Sequence, residues 1–183
     1  MTDRKAKAML WQIAVLVTPL LVCSTGAGAD FAGGNGTLDD PYRIATAPQL
    51  ISIGSDPSLL SKHFVLVADI DLDPNLPGGR VFDRAVIAPD MDEKRGEFQG
   101  SRFMGSLDGK GYAIKRLLIR SSHTFLGLFG EIGLGGEVYN LGLRDVSIKT
   151  QTSQFVAALA ASNRGGLYRQ MLFDRERHRW QLL

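Results

Sequence analysis

The chain has 183 residues, with 21 basic and 19 acidic side chains, 21 glycines and one cysteine. That length suits a single domain with a proper core, and 44% hydrophobic with 22% charged residues is ordinary for a globular protein. One cysteine rules out an internal disulfide framework or a multi-thiolate metal site.

The first segment reads as a leader. Arg4, Lys5 and Lys7 precede the apolar run Met9 to Val22, and Ala27-Gly28-Ala29 is a small-residue cleavage pattern. The run is shorter than the roughly 20 residues a membrane span needs, and Pro19 interrupts it. Residues 1–29 are therefore expected to be a signal peptide, with no membrane span after cleavage. Cys23 lies inside it, and Val22 before it is a poor fit to a lipid-attachment site. Without Arg4, Lys5, Lys7 and Asp3, 18 basic and 18 acidic residues remain. The excess of arginine sits at the C-terminal end, so no body-wide cationic surface points to nucleic acid.

Residues 30–60 open on a glycine-rich loop and a turn at Asp40-Pro41, followed by a short extended piece, Tyr42 to Ile44. The stretch "TAPQLISIG" predicts a short helix, with Thr46 as N-cap, Pro48 in its first turn and Leu50, Ile51 and Ile53 on its apolar side. The next stretch, 63–73, alternates: Phe64, Leu66, Ala68, Ile70 and Leu72 share one face, which predicts a strand buried on one side. A long loop, 74–100, follows, with an apolar interior "VFDRAVIAP" and a solvated tip at 90–97.

From 101 the pattern becomes periodic. Ile114, Leu117 and Ile119 are followed 24 positions later by Val138, Leu141 and Leu143. Each unit is a glycine-bearing turn and a short alternating strand that cannot bury its inner face alone. Units of this size are expected to stack and close a shared core, and with no room for a crossover helix the stack should be a parallel β-helix. A third unit begins near Phe155, Val156 and Leu159. This divides the chain into an N-terminal cap with first strands and long loop (30–100), repeating turns (101–166) and a divergent basic tail (167–183).

Phe103, Gly105, Leu107, Asp108, Gly109, Gly111 and Ile114 form "FxGxLDGxGxxI", and Leu126 to Ile148 follow as "LGLFGxI…VxNLGLxDVxI", in which Gly127, Gly130, Asn140 and Gly142 recur. These resemble the entry turns of bacterial secreted GLUG-repeat proteins, which are similar to pectin-lyase-like β-helices. Upstream, "GTxxDPYxIxTxxQL" (36–50) and "FVLxxDIDL" (64–72) resemble the segment preceding such turns. The resemblance spans roughly residues 33–166. It implies an all-β, short, right-handed parallel β-helix (solenoid) with a small N-terminal helix or cap, exported to the bacterial surface or secreted. "VAALAASNRGG" departs from the repeat, with Ala157, Ala160 and Ala161 where glycines are expected, and the stretch 167–183 matches no repeat.

Chemistry is sparse. Gly133-Leu134-Gly135 starts like a dinucleotide loop, but Val138 stands at its third glycine position and a strand pattern follows instead of a helix, which excludes a pyrophosphate cradle. Asp69, Asp71 and Asp73 share one strand face, and they are the candidate calcium ligands; a solvated outer face explains them as well. No other cofactor is implied. Polysaccharide cleavage needs two carboxylates across a groove, or a base with cations. Asp83, Asp108, Arg80 and Arg84 are candidates, yet Asp108 before Gly109 is accounted for by a turn. His63, His123 and His178 are scattered, with no nucleophile motif beside them. Asn35-Gly36-Thr37 fits a glycosylation sequon and equally a turn. The reading that emerges is a non-catalytic, exported surface or adhesive module binding polysaccharide or a surface protein. A lyase or hydrolase of the same fold, and a remnant of a longer repeat protein, are the alternatives.

Overall fold

A computed structural model describes residues 30–92, 96–151, 155–173 and 181–182. The expected leader lies outside these residues, as do 174–180 and 183 of the expected tail. The chain opens with β1 (Tyr42–Ile44) and α1 (Ala47–Ser55). α1 starts where the sequence places it: the Gln49 N–H donates to Thr46 Oγ1, and Gln49 Oε1 accepts from the Thr46 N–H at 3.2 Å. This reciprocal capping box satisfies two otherwise orphaned donors. Ala47, Leu50 and Ile53 form its buried side. A 3₁₀ turn, Pro57–Ser61, leads to β2 (His63–Leu66) and β3 (Ile70–Asp71).

The remaining elements are all short strands. β4 (Ser106–Asp108), β5 (Ala113–Lys115), β6 (Leu118–Arg120), β7 (Phe125–Leu126) and β8 (Phe129–Ile132) form one pass. β9 (Glu137–Tyr139), β10 (Gly142–Arg144), β11 (Ser147–Thr150), β12 (Phe155–Val156) and β13 (Ala160–Asn163) form the next. β14 (Leu167–Arg169), β15 (Leu172–Phe173) and β16 (Gln181–Leu182) close the order. Among the described residues the regular structure is thus mostly strand, with one short α-helix and one 3₁₀ turn, and the strands form short parallel sets.

Every strand pairing among the described residues is parallel, and none joins strands consecutive in a single pass. The largest sheet runs β1-β2-β4-β9-β14, and a second runs β15-β10-β5-β3. The register corrects the expected period of 24. Leu107 faces Val138, Ile114 faces Leu143, Phe125 faces Phe155 and Phe129 faces Ala160, so the chain returns after some thirty positions. The shorter offset aligned β5 with β9, which occupy different sheets. Two faces of one pass carry the same turn-then-alternating-aliphatic pattern, so matching by pattern alone stops one strand early. The backbone ladder discriminates because it joins only strands in the same sheet.

The inward side of these ladders is the core. Phe64, Leu107 and Val138 stack in the first sheet, Ile70, Ile114 and Leu143 in the second, and Ile119 and Ile148 in the third; all are 3% exposed or less. Phe103 sits between Phe64 and Phe129, with ring centroids 6.4 and 5.0 Å away. The corners repeat as the strands do. Lys110, Asn140 and Gln170 each take a left-handed backbone between the first two strands of a pass, and Arg116 and Asp145 do so at the next corner. This conformation costs a non-glycine residue energy, so its recurrence reflects a bend that the stacked geometry imposes.

Glycines were expected chiefly to turn the chain. Gly111 and Gly135 do, with φ of 85° and 80°. Gly105 and Gly130 serve a different need: a Cβ there would run into the carbonyl oxygens of Lys62 and Ala88. They are small because neighbouring backbone packs directly against them.

Three expected boundaries shift. The alternating run 63–73 is two strands in two sheets, with Val67 exposed and Ala68 half-buried at the bend between them. Alternation continues through the corner, so nothing in the pattern marks the break. In the long loop, Phe82 and Ile87 bridge to Ile119 and Phe129, so the apolar interior joins the ladders. Asp90, assigned to the solvated tip, is buried and accepts the Gln99 N–H at 2.8 Å; residues 93–95 lie outside the described set. Finally, the stretch from 167, expected to be a divergent tail, holds β14 and β15 in register with β9 and β10.

Phe103→Ala is expected to lower unfolding free energy by about 3–5 kcal/mol, because its ring fills the space between two other buried rings. Urea denaturation followed by circular dichroism measures it, and a loss below about 1 kcal/mol would contradict this packing.

Candidate functional site

The outer face of the first sheet collects a set of polar groups beside two depressions. On its ladders lie His63 in β2, Ser106 and Asp108 in β4, Glu137 and Tyr139 in β9 and Arg169 in β14. His63 Nδ1 and Ser106 Oγ are 2.8 Å apart. Asp108 accepts from the Lys110 N–H at 2.9 Å and from Asn140 Nδ2 at 3.0 Å, and it pairs with Lys110 Nζ at 2.9 Å. Burial opposes ionisation of Asp108, but the hydrogen bonds from Lys110 and Asn140 outweigh it and hold the carboxyl below its ordinary range. The bond to Asp108 in turn raises Lys110. Arg169 Nη2 lies 3.8 Å from Glu137 Oε2. Two depressions open on this face. One, of about 260 Å³, is lined by His63, Ser106, Asp108, Lys110 and Tyr139; the other, of about 670 Å³, by Tyr139, Glu137, Asn140, Arg169 and Gln170. Tyr139 borders both.

The candidate calcium ligands are bound up with cations. Asp69 Oδ2 pairs with Lys115 Nζ at 2.5 Å, and its other oxygen accepts the Ala113 N–H at 2.8 Å. Asp71 is paired with Arg116, whose Nε also lies 3.3 Å from Asp73 Oδ2. Asp73 Oδ1 accepts from the backbone and side chain of Asn75 at 2.9 and 2.8 Å. Among the described residues no group of three or more His, Cys, Asp or Glu is arranged to hold a metal ion. The Lys115 and Ala113 bonds hold the Asp69 carboxyl below its ordinary range. At Asp71 burial pushes upward, and Arg116 together with the Asp73 N–H overrides it. Of the three aspartates, only Asp71 lies within a strand, β3, with Asp69 and Asp73 flanking it; that β5 and the corner after it set Lys115 and Arg116 opposite them is visible only in three dimensions.

The two carboxylates suited to polysaccharide hydrolysis lie in different places. Asp83, Arg80 and Arg84 line a cleft of about 550 Å³ beside α1, whereas Asp108 lies on the first sheet. Arg84 Nε is 3.3 Å from Asp83 Oδ1, and this bond holds the Asp83 carboxyl below its usual range. The Arg80 guanidinium lies over the Phe82 ring at 5.0 Å, a cation–π contact. His123 is buried near Ser121, away from His63, and His178 lies outside the described residues. Asn35 Oδ1 accepts from the Thr37 N–H and hydroxyl at 3.1 and 2.7 Å, so the sequon residues form a turn.

The motif positions act as structural parts. Asp108 and Asn140 clasp one corner across two passes, Gly109 packs under the Asn140 carbonyl and Gly127 against that of Ala157, while Gly142 begins β10 against Ala113.

One cluster escaped sequence reading. Glu131 in β8 is fully buried, yet it is paired with Arg102, accepts from Ser162 Oγ at 2.8 Å and lies 3.4 Å from Arg164 Nε. The contacts come from the passes on either side of β8. Glu131 lies within an apolar run, and its partners are some thirty positions away in each direction; only the register reveals them.

No family model matches the chain, and no solved structure matches it. Two curated proteins are similar. A Gly-rich membrane protein of Evansella cellulosilytica is 38% identical over 140 residues, covering 74% of this chain and 15% of its own length. The halomucin of Haloquadratum walsbyi is 34% identical over 144 residues, covering 76% of this chain and 1% of its own length. The chain therefore spans only a small part of each. Among the described residues no helix is long and apolar enough to cross a membrane.

Asp69 and Asp71 are more acidic folded than unfolded. Their contribution is complete above the unfolded carboxylate range near pH ~4 and is lost as pH falls through the lower folded values. Urea midpoints should decline below about pH 4, and less steeply in Arg116→Ala; an identical acid limb would contradict the pairing. Glu131 supports an asymmetric expectation. The double change Arg102→Ala, Arg164→Ala strands a buried charge and should cost about 3–5 kcal/mol. Glu131→Gln leaves arginines that are 43% and 57% exposed and should cost about 1–2 kcal/mol. Equilibrium denaturation compares them, and the reverse order would refute the clamp.

Proposed function

We propose that this chain is a short right-handed parallel β-helix of the secreted GLUG-repeat kind, serving as a non-catalytic module at the cell surface or outside the cell. In this reading it binds carbohydrate or a surface protein by its outer strand faces. The carrying observation is the register: parallel ladders in which the chain comes back to the same sheet after some thirty positions. Stacked passes of that kind offer long, regular faces that suit an extended ligand. The separation of Asp83 from Asp108 supports the non-catalytic part, because hydrolysis requires carboxylates facing each other across one groove. The leader-like first segment and a relative named as a membrane protein favour a surface location.

Binding of the purified protein to a polysaccharide array and to whole bacterial cells tests this. The expected result is retention on at least one polysaccharide or cell surface, without release of reducing or unsaturated sugar. Absence of binding to every polysaccharide and cell type would overturn the adhesive role, and sugar release would overturn the non-catalytic one.

A further inference from the structure

We infer that the outer face of the first sheet holds a neutral polysaccharide chain, with Tyr139 as the platform on which a sugar ring stacks. This rests on the proposal above that the protein is a binding module, and it assigns that function a site and a ligand class. Tyr139 lines both depressions, of about 260 and 670 Å³, whose other lining residues come from successive strands of the same sheet, His63 in β2, Ser106 in β4, Glu137 in β9 and Arg169 in β14, so a path along the stacking direction would pass it. An aromatic body with a polar tip, flanked by a few fixed polar groups, is the composition of an orienting ligand site. Successive ladder residues stand about 4.8 Å apart, so groups on β2, β4 and β9 recur along the path at regular intervals.

The polar groups of this path favour hydroxyls. His63 and Ser106 can each donate or accept, and Asn140 offers both an amide N–H and a carbonyl. The charges cancel locally: Lys110 lies 2.9 Å from Asp108 and Arg169 lies 3.8 Å from Glu137. A polyanion entering here would face two carboxylates with their cations already engaged, whereas a neutral polyol needs no counter-charge. A polyanion finds better complementarity on a different sheet, where Arg120 and Lys149 are neighbours in register. Like charges side by side repel, and an anionic chain would relieve that.

Affinity electrophoresis of the protein in gels carrying a soluble galactomannan or xyloglucan, and in gels carrying polygalacturonate, tests the assignment. The neutral gels should retard the protein with little dependence on salt. Tyr139→Ala should weaken retardation at least about tenfold, Tyr139→Phe should restore most of it, and Arg120→Ala with Lys149→Ala should leave it unchanged. Equal urea midpoints for Tyr139→Phe and the parent protein show that the fold is intact. Retardation that survives Tyr139→Ala, or that is confined to polygalacturonate and lost with Arg120 and Lys149, overturns this site while the binding-module reading stands. No retardation in any gel, together with no binding to whole cells, removes both.

Discussion

The structure depends on one constraint: no strand in it can bury its own inner face. Strands of two to four residues have one or two inward side chains each, far too few for a core. Parallel pairing of the same position in successive passes turns these single residues into columns. Phe64, Leu107 and Val138 form one column, and Ile70, Ile114 and Leu143 another. The apolar gain is therefore collective, and the backbone ladder that aligns the columns also satisfies the main-chain donors and acceptors. Shifting a pass by one residue would turn the columns outward, so register and core specify each other.

The same alignment organises the surface. Residues adjacent to a column on the outward side also line up from pass to pass, which sets His63 beside Ser106 and Asp108 beside Tyr139. Charged neighbours become partners or rivals by this geometry: Asp71, Lys115 and Arg144 follow one another on one ladder, Arg120 and Lys149 on another. Glu131 shows how far it goes, since its fully buried carboxylate is held by Arg102, Ser162 and Arg164 from the passes on either side. A polar group in that position is compatible with burial only because its partners arrive in register.

Corners carry the strain of the arrangement. Lys110, Asn140 and Gln170 adopt the left-handed region at equivalent bends, and Asn140 meets part of that cost by donating to Asp108 in the preceding pass. At Gly105 and Gly130 the neighbouring backbone comes too close for any side chain. The glycine richness thus has two physical origins, tight bends and close packing of main chain.

Much was determined by local sequence alone. Thr46, Pro48 and Gln49 specify the helix start, because a cap acts on the turn that follows it. The alternation of Phe64, Leu66 and Ile70 specifies which side faces inward, because a strand has a period of two. Asp108 before Gly109 specifies a turn. Tertiary structure alone decided the rest. The true length of a pass depends on which sheet each strand joins, and two sheets with the same aliphatic pattern are indistinguishable in sequence. The split of 63–73, the docking of Phe82 and Ile87, and the strands after 167 depend on neighbouring ladders that supply hydrogen bonds and apolar contact. The cations opposite Asp69 and Asp71, and the partners of Glu131, are likewise set by pairing between residues a full pass or more apart. Short-range chemistry is written in adjacent residues; long-range pairing exists only once the passes are stacked.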